Sequence, residues 1–91
     1  MAIRIDELFE YCLKMHHDGF MTERQVARDF IKFIADYGDQ KDFDALPFWV
    51  QEEICKRIEE YKMTRSWTIL TSEGTIDMAE AAELFIRRIK I

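Results

Sequence analysis

Thr22-Glu-Arg-Gln-Val-Ala-Arg-Asp-Phe-Ile-Lys-Phe-Ile-Ala-Asp-Tyr-Gly38 decides the fold, because both ends of a helix and its buried face can be read from this one stretch. Thr22 and Gln25 stand at capping-box spacing. The threonine hydroxyl accepts the backbone N–H three residues on, and the glutamine side chain reaches back to the threonine N–H, so two otherwise orphaned donors are satisfied. Val26, Ala27, Phe30, Phe33, Ile34 and Tyr37 recur every three or four residues, the stripe of an amphipathic helix. Gly38 follows, where a left-handed cap costs glycine little. The spacing predicts a helix over about 23–37 whose apolar face needs neighbours to cover it.

Those neighbours lie on both sides. Ile5, Leu8, Phe9, Cys12, Leu13 and His16 form a second stripe over about 5–18, closed by Gly19. Downstream, residues 39–46 form a polar connection with Phe43 as its apolar anchor, and Pro47 suits the first turn of a helix over about 47–63. Val50, Ile54, Ile58 and Tyr61 form its core face, with Glu52–Lys56 and Glu53–Arg57 as supporting pairs outside. Residues 64–76 mix β-branched and aromatic side chains without clear helical period and are expected to be mostly irregular. Asp77-x-x-Glu80 opens a last helix to about 90, with Met78, Ala82, Phe85, Ile86 and Ile89 inward and Arg87, Arg88 and Lys90 at its negative end. The expected fold is all-α, a compact bundle of four helices in a single domain over residues 1–91.

Composition agrees. The chain has 91 residues, 48% hydrophobic and 34% charged, with eleven Ile and seven Phe, enough for a core without metal or disulfide staples. Cys12 and Cys55 have no C-x-x-C partner and read as intracellular thiols. Met1–Leu8 turns acidic at Asp6 without an apolar h-region, and no apolar run has the length of a membrane span, so a cytoplasmic address is expected. The formal net charge is −5, concentrated in residues 1–53, which carry 12 acids and 6 bases. That balance argues against a protein that holds nucleic acid by phosphate neutralisation.

Several residues stand out as candidates for binding. If Val50, Ile54, Ile58 and Tyr61 face inward, a rotation of about 100° per residue puts Trp49 on the opposite side, with Phe48 at the flank. Phe48, Trp49 and Trp67 could then form an aromatic patch for a partner protein, while the plainer reading folds them back on the 39–46 or 64–76 segments. Leu84 and Ile91 lie off the last helix's stripe. They could pack within the chain or meet a second copy, making a structural homodimer or assembly component. Arg24, Arg28 and Lys32 recur every four residues, a possible contact for phosphate or an acidic partner if they are more than a solvated face.

Other chemistry finds little support. Cys12 and His16 are one turn apart and Cys55 could join them, but the set is too small for a closed metal site, and a core histidine is the commoner reading. Asp36, Asp39, Asp42 and Asp44 lack the order of a calcium loop. No nucleophile elbow, zinc-protease motif or phosphate-cradling loop is present, and no cofactor is implied. The expectation is a small, acidic, non-enzymatic protein-binding module of inhibitor or regulator type, with Phe48 and Trp49 as anchors and the acidic 36–44 loop steering approach.

Overall fold

The computed structural model describes residues 5–71 and 73–90; Ile91 and the side chains of Ile5 and Thr71 lie outside what it describes. In chain order the elements are α1 (Ile5–His17), α2 (Glu23–Asp36), α3 (Gln40–Asp44), α4 (Phe48–Thr64), β1 (Thr68–Thr71), β2 (Gly74–Asp77) and α5 (Ala79–Arg88). The four long helices match the all-α bundle read from the sequence, with ends displaced by one or two residues. The Cα radius of gyration is 12.3 Å, close to the roughly 12 Å of a packed chain of this length.

Helix α2 is the hub, packed against α1, α4 and α5. Its capping box is complete: Thr22 Oγ1 accepts Gln25 N–H at 3.3 Å and Gln25 Oε1 accepts Thr22 N–H at 2.9 Å. Its buried arc is wider than one stripe. Ile31 and Ala35 are buried along with Val26, Ala27, Phe30 and Ile34, because α5 and α4 cover more of the helix than a two-layer arrangement would. Tyr37, read as part of the stripe, is instead 79% exposed, since it is the C-cap residue and the backbone there has left helical geometry.

The two glycines after α1 and α2 work differently. Gly19 adopts φ +82°, with its N–H on His16 O at 3.1 Å and Phe20 N–H on Met15 O at 2.9 Å, a Schellman closure. Gly38 has no left-handed conformation. It is required by close approach, since a Cβ there would lie 2.8 Å from Ile34 Cα.

Two segments depart from the sequence reading. Residues 40–44 form a short helix rather than a bare connection, because Asp39 accepts Lys41 N–H and Asp42 N–H while Asp42 accepts Asp39 N–H. Half of the acidic run therefore serves as a cap. Phe43 is the buried anchor of this turn and meets Phe85 edge-on at 5.9 Å.

Residues 68–71 and 74–77 pair as the two antiparallel strands of a hairpin instead of an irregular stretch, in the register Thr68↔Asp77, Ile69↔Ile76, Leu70↔Thr75, Thr71↔Gly74. Ile69 is buried and Leu70 is 76% exposed, the alternation of a strand with one covered face. The helix stripes themselves are sound. Val50, Ile54, Ile58 and Tyr61 of α4 are buried, as are Met78, Ala82, Phe85 and Ile89 at α5. In α1 Cys12 is buried, but Leu13 stays 43% exposed because α1 lies at the margin of the bundle and is covered on one side only.

Candidate functional site

The aromatic patch is rearranged relative to the sequence reading. Trp49 is half-buried rather than outside the core, with its ring 5.5 Å from His16 of α1. Helical arithmetic on α4 alone places Trp49 away from Ile54 and Ile58, and α1 then arrives to cover it. His16 Nε2 is held in turn by Glu23 Oε1 at 3.3 Å, the first residue of α2. The Glu23 backbone N–H and then His16 hold that carboxyl below the usual carboxylate range. Trp49 is thus clamped from behind.

Phe48, one residue earlier, is 78% exposed on the first turn of α4. Pro47 immediately before it has φ −58° and ψ 150°, so the chain enters the helix in one defined direction. Asp6, Phe9, Ala45, Leu46 and Pro47 line an apolar depression of about 200 Å³ beside this corner. Phe20, 73% exposed, lies four residues after His16. It belongs to no helical stripe, and its position directly after Gly19 was the signal available for it. Trp67, grouped with the patch from sequence, belongs to the core instead. It is 3% exposed, and its carbonyl accepts Met78 N–H at 2.8 Å. The hairpin that turns it inward is a tertiary feature that residues 64–76 did not reveal.

The basic face of α2 does not converge on one point. Arg24 reaches Glu60 on α4 through two contacts of 3.3 Å, and Arg28 pairs with Asp29 at 2.8 Å. Lys32 is exposed. With two of the three guanidinium and ammonium groups already engaged by carboxylates, the face offers an anion one cation rather than three.

Leu84 is half-buried and faces a shallow depression shared with Lys32, Ile76 and Ala81, so its apolar surface is partly covered within the chain. Cys12 is fully buried, and its Sγ lies 3.7 Å from Asp29 Oδ2. Burial above all, then the Asp29 charge and hydrogen bond, pushes this thiol up to about 12 against the pull of Arg28. Cys55 is only partly buried. Among the described residues no three His, Cys, Asp or Glu side chains converge as a metal site would require. No helix among them is long and apolar enough to cross a membrane. Comparison with known protein families, with curated proteins and with solved structures found no match for this chain.

Proposed function

We propose that the chain is a non-enzymatic protein-binding module whose contact surface is centred on Phe48, with Trp49 as its fixed support. The observation that carries this reading is the exposure of Phe48 on the first turn of α4, whose next residue, Trp49, packs against His16 of α1. A phenylalanine left in water forgoes roughly 1.5–3 kcal/mol of burial. That free energy is recovered when a partner covers the ring, and an anchor held in place beforehand loses little entropy on binding. The apolar depression at Leu46 and Pro47 supplies neighbouring apolar surface. The acidic residues from Asp36 to Asp44 would speed the approach of a basic partner.

The test begins with the protein that copurifies with the chain from its native cell. Its affinity is then measured by calorimetry against the wild type and Phe48→Ala. The variant is expected to bind about 30-fold more weakly, in the range of interface hot spots, with an unchanged melting temperature. An unaltered affinity would overturn the proposal.

A further inference from the structure

A second surface, sharing no lining residue with the Phe48–Trp49 corner, runs along β2. A cavity of about 370 Å³ is lined by Tyr11 of α1, by Arg28, Asp29 and Lys32 of α2, by Glu73 ahead of β2, and by Ile76 and Met78. An adjoining one of about 240 Å³ shares Lys32, Ile76 and Met78 and extends past Asp36, Asp77, Glu80 and Leu84. Together they form one trough between α2 and the corner where β2 enters α5. Among the described residues none of β1 lines either part, which sets the trough on the side of β2 away from its partner strand.

That side of β2 is an unpaired edge, since among the described residues the sheet has two strands. The ladder decides which backbone groups face it. Met78 N–H bonds to Trp67 O at 2.8 Å, and bonded and non-bonded pairs alternate along an antiparallel ladder. From the register, the Ile69–Ile76 and Thr71–Gly74 pairs are then the bonded ones. Thr75 and Asp77, opposite Leu70 and Thr68, consequently turn their N–H and C=O groups towards the free edge. An edge of this kind is a template for an incoming strand.

The chemistry of the trough specifies the strand. Ile76, Met78 and Leu84 supply apolar lining, while Asp36, Asp77 and Glu80 place carboxylates beside it. Arg28 is neutralised by Asp29 at 2.8 Å, which leaves Lys32 as the one unneutralised cation among the described lining residues. We propose that the free edge of β2 and this trough bind an extended segment of a partner protein in which apolar side chains alternate with Lys or Arg. Backbone pairing to Thr75 and Asp77 would supply affinity, and Asp36 and Glu80 would select for basic side chains. A second copy of the chain is a poor occupant. Joining two β2 edges would bring together two troughs that each carry Asp36, Asp77 and Glu80, between molecules that each carry a net charge of −5.

The test titrates the isotope-labelled full chain with the peptide Lys-Val-Lys-Val-Lys-Val, blocked at both ends, and with its Glu-for-Lys counterpart. The basic peptide is expected to shift the amide signals of Thr75 and Asp77 and to slow their hydrogen exchange. The acidic peptide and the Asp36→Asn/Glu80→Gln variant are each expected to show binding about tenfold weaker. Both substituted side chains are exposed, and the wild-type titration stands without the variant. Phe48→Ala should bind the basic peptide as the wild type does, which separates this inference from the reading of the Phe48 corner. Absence of shifts at Thr75 and Asp77, equal binding of the acidic peptide, an unaffected double variant, or self-association of the chain through this edge would each overturn it.

Discussion

Tyr61 donates a 2.7 Å hydrogen bond to Glu83 Oε1, tying α4 to α5, and Arg65 Nη1 approaches the same oxygen at 3.2 Å. The bond needs the phenol proton, so it raises the Tyr61 pKa above the ordinary value of 10; burial and the Glu83 charge add to this, and Arg65 opposes it. A group whose folded pKa lies above its unfolded one contributes stability that is complete below the unfolded value and is lost as pH rises through the folded value. The melting temperature of the wild type is therefore expected to fall more steeply with pH above 10 than that of Tyr61→Phe. A difference between the two proteins that stays constant from neutral to strongly alkaline pH would contradict this account.

Gly38 and Gly19 should respond differently to substitution. Gly38→Ala would push a Cβ to 2.8 Å from Ile34 Cα, an overpacking expected to cost about 1–3 kcal/mol. Gly19 has open space around its Cβ position but φ +82°, so Gly19→Ala costs about 1–2 kcal/mol through backbone strain alone. Asparagine tolerates that conformation, so Gly19→Asn should recover part of the loss while Gly38→Asn should not. Urea unfolding of the four variants checks the pattern, and equal behaviour at the two sites would count against it.

Trp67 is buried with no acceptor for its indole N–H among the described residues. An orphaned donor costs about 1–3 kcal/mol, which offsets part of what its ring contributes by packing. Trp67→Phe is therefore expected to lose less than about 1.5 kcal/mol, while Trp67→Ala should lose about 3–5 kcal/mol. Equal losses in denaturant titration would mean that the N–H is satisfied.

The two cysteines should differ in access. Burial first, then Glu59 and Glu52, raises the Cys55 thiol, and Cys12 is raised to about 12 with no exposed surface. Since the thiolate is the reactive form, both should be alkylated more slowly than a free thiol in the native protein. Cys55 is expected to react first and Cys12 only at the rate of unfolding. Mass spectrometry of a timed alkylation distinguishes the sites, and early modification of Cys12 would show that α1 opens on its own.

Thr22→Ala removes one half of the capping box at α2 and is expected to cost about 1 kcal/mol. Gln25→Ala should cost part of the same amount, and the double variant less than the sum, because the two bonds support one helix end. Strict additivity in thermal unfolding would argue that the caps act independently.

The helices were legible because their signals are local. The Thr22–Gln25 box is a contact between neighbours in sequence, and the interval between Val50, Ile54, Ile58 and Tyr61 follows from helical pitch. The hairpin was less legible. Ile69 and Ile76 stand opposite each other only once the chain has turned back, and strands this short carry too few alternations to outvote a helical or irregular reading. The cap at Asp39 was hidden for another reason: four closely spaced aspartates resemble a solvated loop until two of them are seen to satisfy backbone donors.

By itself the sequence determined an all-α chain, its four main helices with their principal buried residues, and an acidic surface, because pitch, capping and composition act within a few residues. Only the tertiary structure decided which aromatics are available. Trp49 is covered by His16 and Trp67 is drawn inside by the hairpin, while Phe48 is left in solvent. It likewise decided that Arg24 answers Glu60, 36 residues away. Availability of a side chain is a property of what lies against it, and those neighbours come from elements distant in the chain, whose approach no local spacing encodes.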